Sequence, residues 1–519
     1  MPKDCRHRPD LTPLVTAAEM FPALETLCLG AGREILMSFR ILDPRTRLRS
    51  PEAEALGLTT WAELVAYQAA KGVKVRLLIA DFDPVFAPDL HRDAWDAGTG
   101  FAAGLMAEAA PEGAAGFHGA EVQVAQHPAS AAPLWRRIFG RSVSDAVAAL
   151  RQRNPERLTP PQLQALSGAV TLRPASLHQK FAVVDGRRAI IGGLDVDERR
   201  WDDEAHRRRA EETWHDVSLQ VEGPVTADLR RHFADCWDQA RQAQAASFAA
   251  TPTPVQTTAP LVERHRAPLG PRLLRTRSEA RRGPLRLGPK PATTEHEEAH
   301  LAAFDSAERL IYLESQFFRH MPLARALARA AKRAPDLNCI LVLPTEPERV
   351  IFNGDRSIDA RHELALQLRA LTHIRRAFGD RLALVAPAQP RPAPRHTPKP
   401  LHGAGVIYLH SKVTLVDDTL AILGSANLNG RSMRWDTEAS LQFHDAAQIA
   451  DLRARLMQSW LQDRMKGMGD PQDARAWTRL AQEEAARDPE DRRAHILPWP
   501  EARNRRLARF LPVLPSEMF

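Results

Sequence analysis

The sequence predicts an α/β protein made of two lobes related by a pseudo-twofold axis, each a mixed β-sheet flanked by helices. The chain has 519 residues, more than a single hydrophobic core usually accommodates. Short apolar runs alternate with amphipathic helical stretches in both halves, which is typical of layered α/β folds. One 19-residue segment also occurs twice. Together these features predict a duplicated α/β unit.

Both halves show the order strand, helix, strand. The strands are predicted from β-branched apolar runs and the helices from apolar residues at helical spacing. The predicted elements are 34–42, 59–72 and 73–83 in the first half, and 309–318, 322–334 and 337–344 in the second.

The repeated segment spans 177–195 and 409–427, and the two copies share eight of 19 positions without a gap. Each copy reads His-x-Lys-x-x-x-x-Asp followed by apolar residues and a glycine. A similar string follows each copy, at 201–204 and at 435–438. Such self-similarity indicates gene duplication.

Pro- and Arg-rich composition predicts the domain boundaries. We expect a first lobe at 1–244, a linker at 245–290 and a second lobe at 291–519 with a helical, charged C-terminal part whose apolar end docks on the body. A second Pro-rich stretch, 386–403, is predicted to be a mobile surface loop.

Composition narrows the function classes only slightly. Hydrophobic residues make up 44% and charged residues 26%, as in ordinary soluble proteins. The net charge of +7 suits phosphate-rich partners such as lipid headgroups or nucleic acid, although solubility explains it equally well. The four cysteines, Cys5, Cys28, Cys236 and Cys339, are too far apart to predict a zinc site or a disulfide framework.

The two His-x-Lys pairs predict one site that cleaves a phosphodiester. In a strand, His178 and Lys180 project to the same face, as do His410 and Lys412. A neutral imidazole can attack phosphorus, while a protonated one can give its proton to the leaving oxygen. The lysines can neutralise the phosphate oxygens.

Other polar residues near the motifs are candidates for support. An imidazole needs a partner on its second nitrogen, for which we expect Glu438 and the pair Asp202 and Glu204. Donors just past the glycine turns, at Gly193, Ser425 and Asn427, are candidates for phosphate binding. Asp185 and Asp417 complete the two motifs and are candidates either for the catalytic set or for a structural role. Further candidates around the motifs are Asp195, Glu314, Gln316, His206 and His215.

These motifs resemble the HKD, or phospholipase D, superfamily, and within it the phospholipase D enzymes of the eukaryotic type. The first motif continues into 192–206 and 214–237, which resemble the GGxD, RWD and WHD-x-GP stretches of those enzymes. The second continues into 424–438, which resembles their GSAN-N-RS-DSE block. The segments 273–278 and 311–318 resemble two further blocks, so the resemblance extends along most of the chain.

The resemblance implies one site at the interface of two lobes, no cofactor and no metal, with His178 as nucleophile and His410 as general acid. It implies hydrolysis or alcohol exchange at the distal phosphodiester bond of a glycerophospholipid. Position 315 is Ser where the family usually has Asn, and 84–175 resembles no family block and is a candidate for substrate choice. Within it, 134–139 combines apolar and basic residues of the kind that rest on membranes, or pack as a helix on the body.

We therefore expect a monomeric phospholipase D that acts peripherally on membrane phospholipid, is cytoplasmic and has no nucleic-acid partner. No Sec-type signal and no apolar run of about 18 residues is seen, although export by a signal-independent secretion system stays open. The alternatives are a phosphodiesterase or nuclease, a cardiolipin-synthase-like phosphatidyltransferase, and a non-catalytic phosphoinositide or nucleic-acid binding protein.

Overall fold

Two β-sheets with the same strand pattern form the centre of the protein. The computed structural model describes residues 11–108, 120–168, 170–256, 270–281, 283–512 and 514–519. The strands are β1 (Leu11–Val15), β2 (Glu34–Phe39), β3 (Lys74–Ala80), β4 (Ala120–Ala125), β5 (Phe181–Val184), β6 (Arg188–Gly192), β7 (Trp214–His215), β8 (Val217–Glu222), β9 (Ala246–Ala249), β10 (Arg272–Glu279), β11 (Lys290–Thr294), β12 (Leu310–Ser315), β13 (Asn338–Val342), β14 (Leu382–Pro392), β15 (Ala404–Val406), β16 (Tyr408–Leu409), β17 (Lys412–Val416), β18 (Leu420–Gly424), β19 (Glu438–Phe443) and β20 (Ile496–Pro498).

The helices lie on and between these sheets. They are α1 (Ala17–Leu29), α2 (Pro51–Ala55), α3 (Trp61–Ala70), α4 (Pro88–Glu108), α5 (Pro133–Ile138), α6 (Gly140–Arg151), α7 (Pro160–Leu166), α8 (Val225–Gln242), α9 (Glu295–Ser306), α10 (Met321–Arg333), α11 (Glu348–Ile351), α12 (Ile358–Phe378), α13 (Gly430–Arg434), α14 (Ala446–Leu461), α15 (Ala474–Ala485) and α16 (Glu501–Leu507).

The strand order shows the internal repeat directly. The first sheet runs β1-β8-β6-β5-β2-β3-β4-β9, and the second contains β10-β19-β18-β17-β12-β13-β14 with β15 and β20 on β14. In the first sheet the motif strand β5 is antiparallel to its neighbour β2, and β2, β3 and β4 are parallel to one another. In the second sheet the motif strand β17 is antiparallel to β12, and β12, β13 and β14 are parallel to one another. The duplicated, mixed α/β fold predicted from the sequence is thereby confirmed.

The two sheets face each other across a shared core. Leu36 of β2 and Phe181 of β5 lie in the same apolar cluster as Leu415 of β17 and Leu441 of β19. Neighbours such as Met37 point to the outer face, where α1, α3 and α4 cover the first sheet. Helices α9, α10 and α12 cover the second sheet in the same way. Because both faces of each sheet are covered, the central strands of each sheet are mostly apolar, whereas the edge strands β9 and β11 are not.

A short ladder joins the lobes beside the motifs. Strand β16, just before the second motif, pairs in parallel with β7 of the first lobe. An isolated bridge between Leu177 and Thr437 makes the matching link before the first motif. Both predicted motif strands therefore begin at a point where the two lobes are hydrogen-bonded.

Two Pro- and Arg-rich segments contain more regular structure than predicted. Strand β9 lies in the first sheet and β10 in the second, so both ends of the predicted linker are strands, while 257–269 falls outside the described residues. Two arginines of β10 are half-buried and paired, Arg275 with Glu295 and Arg277 with Asp235. Alternation of arginine with small polar residues obscured this strand in the sequence.

The predicted loop at 386–403 is also largely a hairpin. Strand β14 extends to Pro392 and pairs with β15 through an irregular register. Gln389 is buried and its amide donates to the carbonyls of His206 (2.6 Å) and Arg208 (2.8 Å) in the first lobe. Proline lacks an N–H donor, so a Pro-rich strand is restricted to such an edge position.

The C-terminal segment docks as expected. Phe519 is buried against His362, and its carbonyl accepts a hydrogen bond from the backbone N–H of Gly430 (3.1 Å). Cys28, Cys236 and Cys339 are separate buried thiols, and Cys5 lies outside the described residues.

Candidate active site

The two motif histidines sit at equivalent positions, just before β5 and β17. The side chain of His178 is 12% exposed and that of His410 is 3% exposed. Lys180 and Lys412 are buried beside them. The apolar residues that follow in each strand fill the core, which leaves the polar pair at the strand start, where the lobes meet.

Each imidazole is held by a carboxylate from the other lobe. His178 Nδ1 lies 2.9 Å from Oε1 of Glu438, and His410 Nδ1 lies 2.7 Å from Oδ2 of Asp216. Both carboxylates are fully buried. Fixing Nδ1 in this way sets the ring orientation and leaves Nε2 as the reactive nitrogen.

Backbone hydrogen bonds also connect each motif histidine to the other lobe. The N–H of His178 donates to the carbonyl of Thr437 (2.9 Å), and that of His410 donates to the carbonyl of His215 (2.8 Å). The role predicted for Asp202 and Glu204 is thus taken by Asp216. The Asp202 carboxylate instead lies 2.7 Å from Nδ1 of His206.

The structural equivalence of Asp216 and Glu438 follows from strand register. Each lies two residues before a serine that pairs with the last residue, a glycine, of the neighbouring strand. Ser218 pairs with Gly192 of β6, and Ser440 pairs with Gly424 of β18. The strings DVSLQV (216–221) and EASLQF (438–443) carry this match in the sequence. Glu204, matched to Glu438 by the shorter WDxE string, is exposed and lies near Arg455.

Both lysines fold back onto the motif backbone. Lys180 Nζ donates to the carbonyl of His178 at 2.6 Å, and Lys412 Nζ donates to that of His410. Lys412 Nζ also lies 3.0 Å from His410 Nδ1. Burial lowers the pKa of both ammonium groups, that of Lys412 to about 7, while Asp195 and Asp216 respectively oppose the shift.

The same burial favours neutral imidazoles. Desolvation, followed by the charges of Lys180 and Arg40, holds the pKa of His178 well below its usual value. Desolvation, followed by Lys412, does the same to the pKa of His410. A neutral ring is the form a nucleophile needs, and a bound phosphodiester anion would raise the imidazole pKa again by favouring the cation.

Burial acts on the carboxylates in the opposite direction. It raises the pKa of Glu438 to about 8, with Lys180 opposing, and that of Asp216 to about 7, with Lys412 opposing. Ser425 donates to Glu438 Oε2 at 2.5 Å. The donor expected to bind phosphate is therefore used to position the carboxylate.

Two arginines that were not predicted add positive charge to the site. Arg200 Nη1 lies 3.5 Å from Nε2 of His410 and 3.3 Å from Oδ2 of Asp195. Arg40 follows β2, and burial lowers its pKa, opposed by the charge of Asp195. Strand β2 is adjacent to the motif strand, which is the signal that could have identified Arg40.

The motif aspartates, which were expected either in the catalytic set or as structural supports, are bound to backbone N–H groups. Asp185 accepts from three consecutive backbone N–H groups at 32–34, and Asp417 accepts from three at 308–310. Both have positive φ, 54° and 50°. They lie at the far end of the motif strands and fix the start of β2 and β12.

Of the other predicted residues, Gly193 has its N–H already bonded, whereas Asn427 and Gln316 are buried next to each other. The N–H of Gly193 donates to the Val217 carbonyl (3.3 Å), so it is not free for phosphate. A Cβ there would meet Asp216 Oδ1 at 2.3 Å, which explains the glycine. Asn427 and Gln316 lie within the buried site region, with Asn427 Nδ2 3.4 Å from Gln316 Oε1. The Asn427 Oδ1 is buried without a described partner.

Glu314 forms a support beneath the second motif. It accepts hydrogen bonds from Tyr312 (2.6 Å), Trp460 (2.7 Å) and Ser411 (2.5 Å), and Ser411 lies between His410 and Lys412.

Within the described ranges, no group of His, Cys, Asp and Glu side chains is arranged to hold a metal ion. Among those same residues, no helix is both long and apolar enough to cross a bilayer.

Comparison with known proteins gives relatives with lipid-synthesis names. A family described as "Cardiolipin synthase, PLD-like domain" matches residues 301–460. Cardiolipin synthase A of Pseudomonas entomophila (strain L48) is 26% identical over 283 residues, covering 54% of this chain and 47% of that protein. Cardiolipin synthase A of Pseudomonas fluorescens (strain SBW25) is 25% identical over 281 residues, covering 54% and 46%. The chain spans about half the length of these curated relatives.

A solved structure extends the likeness over both lobes. Phosphatidylserine synthase of Haemophilus influenzae Rd KW20 aligns with a TM-score of 0.51 and 13% identity, covering 89% of this chain and 88% of that one. This likeness shows the fold. Together with the duplicated motif and the family match over residues 301–460, it supports the resemblance of the chain to the phospholipase D (HKD) superfamily.

Proposed function

We propose that the protein is a phosphatidyltransferase that moves a phosphatidyl group between alcohols through a covalent phosphohistidine. The observation that carries the proposal is the pair of imidazoles, His178 and His410, each held at Nδ1 by a buried carboxylate with a lysine two residues later. The names of the relatives, cardiolipin synthase and phosphatidylserine synthase, favour transfer over the net hydrolysis that sequence analysis placed first.

In the first step, Nε2 of His178 attacks phosphorus and the bond to the headgroup oxygen breaks. His410, protonated when the anionic diester binds, gives its Nε2 proton to that oxygen, and the headgroup alcohol leaves. Lys180 and Lys412 neutralise the non-bridging oxygens as charge redistributes among them. Glu438 stabilises the positive charge that develops on the attacking ring.

In the second step, His410 is the base. It takes the proton of the incoming hydroxyl, the new P–O bond forms, and the P–N bond to His178 breaks. The enzyme returns to its starting protonation, so no cofactor is needed for the balance. Because one chain carries both motifs, we expect a monomer to be active, working peripherally on membrane phospholipid.

Hydrolysis is the second candidate, with water in place of the acceptor alcohol. It is favoured by the resemblance of 424–438 to the corresponding block of eukaryotic-type phospholipase D. The two reactions share the first step, so they differ only in the acceptor of the second.

The test incubates wild-type and His178→Ala protein with vesicles of phosphatidylglycerol and phosphatidylcholine, with and without a primary alcohol. Products are identified by mass spectrometry. Without added alcohol, transfer predicts cardiolipin and glycerol from phosphatidylglycerol, whereas hydrolysis predicts phosphatidic acid. A phosphatidylalcohol formed when the alcohol is present reports the covalent intermediate that both reactions share. The His178→Ala protein should form none of these. Cleavage of DNA or of a small diester with no action on lipid would exclude the phosphatidyl substrate.

A further inference from the structure

Helix α5 exposes apolar side chains instead of burying them. In α5, Leu134 is 39% exposed and Ile138 is 56% exposed, and the nearby Leu285 is 70% exposed. None of the six residues of α5 is buried. A cluster of exposed aliphatic side chains is uncommon on a protein that has no partner for it.

Hydrogen bonds hold these residues in one surface. The backbone N–H of Ala132 donates to the carbonyl of Arg286 (2.7 Å), and the indole N–H of Trp135 donates to the carbonyl of Leu285 (3.0 Å). Arg286 in turn donates through Nε to the carbonyl of Ser130 (3.1 Å). Helix α5 and the 283–290 segment therefore form a single ridge, which we call the α5 ridge.

The α5 ridge is basic as well as apolar. Residues 122–144 and 280–294 contain no Asp or Glu. Arg136, Arg137 and Arg141 are exposed, and within the described ranges none of them forms an ion pair. Exposed aliphatic residues surrounded by unpaired arginines suit the interface of an anionic bilayer, which offers both acyl chains and negative headgroups. Nucleic acid would match the charge but would gain little from Leu and Ile, because bases bind by stacking on aromatic rings. The two rings present here, Trp135 and Phe139, are half-buried and stack on each other.

The α5 ridge is linked to the backbone of the first motif through Trp435. His127 Nε2 lies 3.2 Å from the Ser278 hydroxyl, which donates to the carbonyl of Trp435. Gly288 packs so tightly on the Trp435 ring that a Cβ would lie 2.3 Å from it. Two residues after Trp435, the carbonyl of Thr437 accepts the backbone N–H of His178.

We propose that the α5 ridge seats the protein on anionic membranes, with Leu134, Ile138 and Leu285 inserted among the lipids and the arginines against the headgroups. The inference rests on the proposed function for the identity of the surface, a phospholipid bilayer. Insertion here brings the catalytic histidines to the membrane, where the phosphodiester of the substrate lies.

The test measures binding separately from catalysis. Wild-type protein and the double variant Leu134→Glu with Ile138→Glu are sedimented with sucrose-loaded vesicles of phosphatidylglycerol and phosphatidylcholine, and with vesicles of phosphatidylcholine alone. The changed side chains are exposed, so folding should persist, and Ile358→Glu, which changes an exposed residue (59%) of the second lobe, is the matched control. Turnover of the water-soluble diester bis(p-nitrophenyl) phosphate is measured for each protein.

We expect the double variant to bind anionic vesicles on the order of a hundredfold more weakly, about tenfold for each apolar side chain lost from the interface, with unchanged turnover of the soluble diester. Arg136→Gln with Arg137→Gln should remove the preference for anionic over zwitterionic vesicles. Vesicle binding by the double variant at wild-type strength would overturn the inference. The inference would also be overturned if the arginine variant lost binding to DNA but still bound vesicles as strongly as the wild-type protein. A wild-type protein that binds vesicles through the ridge but transfers no phosphatidyl group would refute the proposed function alone.

Discussion

Replacing Glu438 by Gln tests the assignment of His178 as the nucleophile. The two side chains have the same shape, so the buried position 2.9 Å from His178 Nδ1 stays filled. The amide cannot supply the negative charge that stabilises the ring as Nε2 bonds to phosphorus. A hydrogen bond to a charged group contributes about 1.5–3 kcal/mol, and each 1.4 kcal/mol is a factor of ten in rate, so kcat/KM should fall about 10- to 150-fold.

The matched variant is Asp216→Asn, which removes the equivalent charge from His410. The two variants should respond differently to the leaving group, because only the general acid matters more when the leaving oxygen is basic. Activity is therefore measured on bis(p-nitrophenyl) phosphate, whose leaving group needs little protonation, and on an alkyl phosphodiester. Glu438→Gln should lose the same factor on both, and Asp216→Asn should lose much more on the alkyl substrate.

A reversed pattern, with Glu438→Gln sensitive to the leaving group and Asp216→Asn insensitive, would exchange the roles of the two histidines. Wild-type activity in Glu438→Gln would refute the reasoning altogether. Thermal unfolding provides the control for folding. The amide fills the same buried position, so the variant should unfold at nearly the wild-type temperature.

Three further predictions concern residues around the pair. Because the pKa of Lys412 is lowered to about 7, its ammonium group loses its positive charge as the pH rises through that value. Inhibition by sulfate should therefore weaken from about pH 6 to about pH 8, and it should weaken less in the Lys412→Arg variant. Asp417→Asn keeps a residue that tolerates positive φ but loses the acceptor for one of three backbone N–H groups. The free energy of unfolding should therefore fall by about 1–3 kcal/mol, while kcat stays unchanged. A fall in kcat of a corresponding size would contradict the structural role. Arg40 lowers the pKa of His178, so Arg40→Gln should move the acid limb of the kcat/KM profile to higher pH and reduce kcat/KM by roughly tenfold; an unmoved acid limb would show that Arg40 does not act on His178.

The sequence allowed prediction of the elements and the reactive residues, because both depend on local pattern. The strand at 34–42, the helix at 59–72 and the strand at 73–83 all form, as β2, α3 and β3. Thr60 and Glu63 complete a capping box at the start of α3. The two histidines and two lysines were identifiable from a spacing that occurs twice.

The partner of His410 could not be identified by the same route. The WDxE string pointed to Glu204, but the first lobe has additional residues before β8, so the equivalent of Glu438 lies later, at Asp216. Strand register, which a chain shows only once it is folded, decides between the two. The repeated SLQ of 218–220 and 440–442 was the available signal, and it lies outside the aligned motif.

The motif aspartates could be catalytic or structural as far as the sequence goes. In the folded chain Asp185 and Asp417 recur because each copy needs the same backbone turn. Spacing alone cannot separate the two ends of a four- or five-residue strand. The folded chain does so, with the lysine at one end and the aspartate at the other.

The exchange of carboxylates between lobes has a consequence for the protein while it is being made. His178 and Glu438 are separated by 260 residues, so a ribosome working at 5–20 residues per second needs roughly 10 to 50 s to add the second after the first. During that interval the imidazole of His178 has no partner on Nδ1, and the inner face of the first sheet has not yet met that of the second. The two carboxylate-paired histidines of the site therefore exist together only once the second lobe has emerged and docked on the first.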